Sequence, residues 1–197
     1  DRYLVAAGGN EDVFGSNTNL ATVELYDVER NIWELLATPL TIPRATAGVA
    51  AMDDRRILVV GGSRDRAEVD SSAEVYQALA VDESSSAAKD MQSSDVQVPG
   101  LSEGRMGTQA VQLCLPVPGG FYPATVRHCV AIVGGECLGS LFSRQLASVP
   151  VFDIEKMTWR TDTVIPPMST PRTAAAVCVG LGRASQGFDS HGNPRGA

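Results

Sequence analysis

An all-β fold of repeated four-stranded antiparallel units is what this sequence predicts, and three observations carry the prediction. Three apolar runs end in a glycine pair: Tyr3 onward into Gly8-Gly9, Ile57 onward into Gly61-Gly62, and Cys129 onward into Gly134-Gly135. Each is followed by a polar loop and a second apolar run with an aromatic: Val23-Glu-Leu-Tyr26-Asp27, Ala73-Glu-Val-Tyr76 and Pro150-Val-Phe152-Asp153. From the second glycine to that aromatic is 17, 14 and 17 residues, so only loop length varies. Marks recurring in a fixed order at a spacing of tens of residues signal stacked supersecondary units, none of which buries its apolar face alone.

Each element has a local reason. The runs before the glycines are short, rich in β-branched and apolar residues and bounded by turn formers, which reads as buried strands. Glycine at their ends lets the chain turn, or approach a neighbouring backbone, where a Cβ would clash. Trp33 and Trp159 follow Tyr26 and Phe152 by seven residues each. Between them lie Asp27-Val-Glu-Arg-Asn31 and Asp153-Ile-Glu-Lys156, both with the composition of Asp-initiated turns. Each aromatic and its tryptophan therefore sit on adjacent strands and are expected to pack between neighbouring units. Pro43-Arg44 and Pro171-Arg172 open the small-residue runs Ala45 to Met52 and Thr173 to Val179, which read as buried fourth strands. The two arginines are expected to donate to carbonyls or carboxylates there. In the middle unit Glu83 stands where tryptophan is expected and Arg105 lacks a preceding proline, so its fourth strand is the weakest element. Its extra length falls in the Ser-rich segment 81–95, read as a mobile insertion without a core strand, and in 115–123, read as a Pro/Gly hairpin loop.

This series of a Gly-Gly strand, a polar loop, a Tyr/Phe-Asp strand, a tryptophan seven residues on and a Pro-Arg resembles the kelch repeat. The first and third units match well, and the resemblance covers nearly all of residues 3–182. It implies an incomplete kelch-type β-propeller of about three blades over residues 1–183, since that repeat is roughly 50 residues long and forms one four-stranded blade. Closed propellers hold roughly 4 to 8 blades, so the remaining blades are expected outside this chain, which begins at Asp1 and reads as a fragment. Residues 184–197 lack alternation and read as a disordered tail.

Composition excludes several functions. Sixteen Lys plus Arg against 23 Asp plus Glu give a formal charge of −7 over 197 residues, which would repel phosphate backbones and anionic lipid. The apolar runs stop well short of the roughly 20 residues that span a bilayer, and no targeting segment is visible. A cytoplasmic protein is expected. Cys114, Cys129, Cys137 and Cys178 form no Cys-x-x-Cys, and with His128 and His191 the only histidines, a structural zinc site lacks its ligand spacing. The cysteines read as buried free thiols.

Three chemical motifs do not survive inspection. Gly180-Leu-Gly182-Arg-Ala-Ser185 imitates the start of a dinucleotide site, yet only 12 residues follow it, too few for a crossover helix and second strand. Ser86-Ala-Ala-Lys89 has a nucleophile-and-base spacing but lies in the Ser-rich segment without partner motifs. His128 has no nucleophile arranged around it and reads as a hydrogen-bonded structural residue. Galactose oxidases share kelch-like repeats, and that resemblance would imply copper held by histidine and tyrosine ligands with a cysteine-linked tyrosine; two histidines leave this chain's ligand count short.

No catalytic, cofactor or metal residue is therefore expected. The resemblance implies a non-catalytic protein–protein interaction module, a scaffold or substrate-recognition domain, with a copper-enzyme fragment or a purely structural repeat domain as alternatives. The loops after the glycine pairs, Asn10 to Ala21, Ser63 to Ser72 and Glu136 to Ala147, are expected to emerge on one face. They carry Asp12, Phe14, Arg64, Arg66, Phe142 and Arg144, a mixture of aromatic, Arg and acidic residues suited to gripping a protein or peptide partner.

Overall fold

The computed structural model describes residues 2–11, 18–64, 68–78, 91–93, 98–116, 126–138, 142–162 and 165–179. Among them there is no helix, and so none long and apolar enough to cross a membrane. The strands are β1 (Tyr3–Ala7), β2 (Val23–Asp27), β3 (Ile32–Leu35), β4 (Gly48–Ala51), β5 (Arg56–Val60), β6 (Ala73–Ala78), β7 (Met91–Ser93), β8 (Gln109–Pro116), β9 (Val126–Val133), β10 (Glu136–Leu138), β11 (Ser143–Gln145), β12 (Val151–Asp153) and β13 (Thr158–Trp159). They form three antiparallel units in the orders β1-β2-β3, β4-β5-β6-β7 and β8-β9-β12-β13, with β10 and β11 as a separate hairpin.

The repeat marks share one register. Tyr26 lies opposite Trp33 and Phe152 opposite Trp159, with ring centroids 5.1 Å apart in each pair. The turns between those strands close alike: Asp27 Oδ1 accepts from the amides of Glu29 and Arg30, and Asp153 Oδ1 from those of Glu155 and Lys156. An aspartate side chain satisfying two turn amides is the reason the position is Asp. Arg2 also donates to Asp27, and that bond holds its carboxyl down to about 2.

Burial follows the period-2 alternation of each strand. Ile57, Val59 and Tyr76 face the first unit and close a core with Val23, Leu36 and Leu40. Leu58, Val60 and Val75, on the opposite face of the same sheet, meet Val130, Ile132 and Phe152 of the third unit. The middle sheet is therefore buried on both faces, and Tyr76 and Phe152 each pack onto the unit before their own.

The first unit differs at that same position. No other unit covers its outer face among the described residues, so Tyr26 is only half-buried and Trp33 is 53% exposed rather than packed between units as its spacing suggested. Trp159 is half-buried against the second core, and its Nε1 donates to the Pro99 carbonyl at 2.6 Å. Trp159→Ala should accordingly cost about 3 kcal/mol in urea denaturation and Trp33→Ala no more than about 1, because a truncation costs what its cavity and lost contacts cost. Equal losses would show that the two rings are equally packed.

Four further expectations need correction. The segment Thr173 to Val179 is not a buried strand: 175–179 has no strand partner among the described residues and is largely exposed, since no neighbouring strand among them offers it a ladder to join. Met91–Ser93, inside the supposed insertion, is an edge strand paired with β6; the rest of 81–95 and Glu83 lie outside the described residues, as does 184–197. The fourth strand of the middle step is among the longest, because β8 pairs with β9 from Gln109 to Pro116, which moves the start of the Pro/Gly loop beyond Pro116. All four cysteines are free, but only Cys129 and Cys137 are buried; Cys114 and Cys178 are exposed because one lies at the outer end of β8 and the other in the unpaired 175–179.

Candidate functional site

The roots of the three loops are fastened in a row by one device used repeatedly. Gly8, Gly61 and Gly134 have φ of 69°, 67° and 63°, and a Cβ there would strike the carbonyl oxygens of Arg44, Arg105 and Arg172 respectively. Only glycine meets both demands, left-handed backbone and close approach. The following glycine amides donate to those same carbonyls, Gly9 to Arg44 at 2.9 Å, Gly62 to Arg105 at 2.8 Å and Gly135 to Arg172 at 2.7 Å.

The guanidinium of each buried arginine then crosses to the next unit. Arg44 donates to the Gly61 carbonyl at 2.8 Å and to the Ser72 carbonyl and hydroxyl at 3.3 and 3.0 Å. Arg105 does the same to Gly134 at 3.0 Å and to Ser148 at 3.4 and 3.1 Å. Arg105 therefore fills the Pro-Arg role without the proline. Arg44 also pairs with the buried Glu74 at 3.1 Å, and Glu74 accepts from the amide and hydroxyl of Thr41. In the third unit Pro150 occupies the position of Glu74, so burial pushes the Arg105 guanidinium below its ordinary value with no carboxylate bonded to it.

On this fastened base the loops stand side by side. Residues following the glycine pairs form bridges to those following the arginines, Ser63 with Ala45 and Glu136 with Met106. Asn19 of the first loop donates through Nδ2 to the Ser63 carbonyl of the second at 2.5 Å. Arg64 is half-held: it donates to Asp70 at 2.9 Å and lies 3.6 Å from Glu68. Burial alone would raise the Asp70 carboxyl, but the Ser72 amide and Arg64 keep it below its usual range. In the third loop, β10 and β11 pair as antiparallel strands with Cys137 opposite Arg144. Arg144 is ion-paired with Glu103, and Phe142, immediately before β11, is 83% exposed. Asp12, Phe14 and Arg66 lie outside the described residues. Arg172, expected to donate like Arg44, is exposed and its guanidinium has no partner among them.

The anchoring carboxylates Glu74, Asp70 and Glu103 did not stand out in the sequence. Glu74 was legible in principle, since Val23-Glu24 and Ala73-Glu74 share a repeat position; Glu103 meets Arg144 only through tertiary packing. Burial raises the Cys137 thiol of the third loop and the Cys129 thiol of β9, which disfavours the reactive thiolate. Among the described residues no three His, Cys, Asp or Glu side chains are grouped to hold a metal ion. His128 Nδ1 lies 3.5 Å from Cys114 Sγ on the neighbouring strand.

No family model and no curated protein matches this chain. A solved structure titled "Structure of YjhT" is similar in fold, with a TM-score of 0.55 at 9% identity over 79% of this chain. The match takes in 41% of that structure, so this chain spans about two-fifths of its length.

Proposed function

We propose that this chain is a non-catalytic protein-binding module, part of a kelch-type propeller with a scaffold or substrate-recognition role, and that the loops after its glycine pairs grip a protein or peptide partner. The observation that carries the reading is Phe142, a large apolar ring 83% exposed two residues from Arg144 in the loop after the third glycine pair. Aromatic and Arg side chains are the residue types that dominate binding energy at protein interfaces, and a hairpin holds them with less ordering cost than an open loop. The repeated lacing through Arg44 and Arg105 supports a propeller-like stack, since it joins each unit to the next by the same bonds. The four free thiols favour a reducing, cytoplasmic setting.

The test is affinity capture of partners by the wild type and by Phe142→Ala/Arg144→Glu, followed by titration of each purified partner. The variant should bind at least about tenfold more weakly at unchanged melting temperature, because an exposed ion pair such as Arg144–Glu103 contributes at most about 1 kcal/mol to stability. Equal affinity for every captured partner would remove the hairpin from the binding face, and stoichiometric copper with oxidase activity would replace the binding reading by an enzymatic one.

A further inference from the structure

The contact between Cys114 and His128 belongs neither to the core nor to the loop face. β8 and β9 pair from Gln109 to Pro116, which sets Cys114 directly opposite His128 with both side chains on one face of the sheet. That face is turned to the second unit: its inner positions Val130 and Ile132 join the core with Leu58 and Val60, and Gln112 Nε2 donates to the Met52 carbonyl at 2.8 Å. Two residues beyond Gln112, at the end of the sheet away from the glycine roots, the core gives way to solvent. Cys114 and His128 are both exposed there. The backbone beneath them is held, since β9 also pairs with β12 and the Ile154 amide donates to the His128 carbonyl at 3.3 Å. His128 Nδ1 lies 3.5 Å from Cys114 Sγ, so with the ring proton on Nε2 the thiol donates to Nδ1.

The charged groups of the adjoining elements are engaged with one another or turned to solvent. On the opposite face of the sheet Arg127 donates to Asp153. In the turn between β4 and β5 that follows Met52, Arg56 donates to Asp53, and Asp54 and Arg55 are exposed. One cysteine and one histidine fall two ligands short of a structural zinc site, and no third ligand is grouped with them among the described residues. What the pair supplies is a nucleophile with a base in reach. Attack on an acyl carbon also needs donors aimed at the developing oxyanion, whereas exchange with a disulfide needs only a thiolate and access to it. Neither buried thiol can resolve a bond formed at Cys114: Cys129 points to the other face of β9, and Cys137 lies beyond the glycine pair at the far end of that strand.

We propose that Cys114 is a site of reversible thiolation by small disulfides, with His128 as its base. Nδ1 takes the thiol proton as Cys114 Sγ attacks one sulfur of the external disulfide. The new S–S bond forms as the old one breaks, and the departing thiolate takes the proton from the imidazole. One protein thiol and one disulfide thus become one mixed disulfide and one small thiol; Cys114 is oxidised, the departing half of the reagent is reduced, and no other oxidant takes part. With no second thiol to displace it, the mixed disulfide persists until an external thiol reverses the exchange. The site lies at the end of the sheet opposite the loop roots, so it stands independently of the binding role proposed for the loops.

The experiment follows the full chain by intact mass and peptide mapping during incubation with excess glutathione disulfide near neutral pH. Cys178→Ser serves as the background, so that Cys114 is the one exposed cysteine. A single adduct should form at Cys114 and be removed by added glutathione. His128→Ala and His128→Gln should each slow its formation about tenfold, at the low end of what a positioned base contributes because the pair is open to water. Melting temperatures should stay unchanged, since His128 is exposed. Free imidazole should restore part of the rate to His128→Ala, a recovery that a merely structural histidine would not show. Adducts at Cys129 or Cys137 in place of Cys114, or no adduct, would overturn the site. Equal rates in the wild-type background and both His128 variants, or a slowed variant that imidazole does not help, would overturn the role of His128 as base.

Discussion

Arg44→Met should lower the unfolding free energy by about 3–5 kcal/mol, whereas Arg105→Met should cost about 1–3, although the two arginines make the same bonds to the next glycine and serine. The difference lies in what remains. Removing Arg44 strands the buried Glu74 carboxylate with only Thr41 to satisfy it, and an uncompensated buried charge is more costly than an unmatched neutral carbonyl. Removing Arg105 leaves neutral acceptors and also relieves the desolvation of a cation that has no carboxylate bonded to it. Urea denaturation of both variants checks the order, and Arg44→Met/Glu74→Leu should recover a large part of the first loss in a double-mutant cycle. Equal costs, or no recovery in the double variant, would mean that Glu74 does not set the energetics of the joint.

Phe152→Ala is expected to cost about 3–5 kcal/mol and Tyr26→Ala only about 1, a contrast between equivalent positions of two repeats. Phe152 is fully buried between the second and third units, packed among Val130, Ile132 and Leu58. Tyr26 presents its ring to the open face of the first unit and donates its hydroxyl to Asn31 on the surface. Deleting a ring from a two-sided core leaves a cavity that its rigid neighbours cannot fill, whereas water takes the space beside a ring on an open face. Measurement at low concentration isolates the single chain, and comparable losses at both positions would show that the outer face of the first unit is already covered.

The loop face divides along the same physical line. That Arg64 and Arg144 belong to loops rooted beside one another followed from the common spacing of glycine pair, loop and strand. That each is partly held by a carboxylate did not, because Asp70 and Glu103 owe their positions to how the loops pack over the glycine roots. Phe142 was readable as a loop aromatic, while its exposure is a feature of the folded chain alone. Arg105 shows the converse: without Pro it read as a departure from the pattern, yet the fold supplies it with the same glycine-carbonyl and serine acceptors as Arg44, since the left-handed Gly61 and the Ser148 hydroxyl do the positioning that proline only favours.

Strand content, the antiparallel order within each unit, the Asp-closed turns and the aromatic–tryptophan pairs were determined by sequence alone, because alternation, turn chemistry and a seven-residue hairpin spacing act over neighbouring residues and repeat in register. Tertiary structure alone decided which of the equivalent positions are buried. Tyr26 and Tyr76, Trp33 and Trp159, Arg44 and Arg172, and the runs 48–51 and 176–179 match in the sequence but differ in the fold. The physical reason is that, among the described residues, the middle unit has a neighbour on each face and the first on one only, so similar local patterns end in a closed core, a buried ion pair and a paired strand in one place, and in an exposed ring, an exposed guanidinium and a segment without a strand partner in the other.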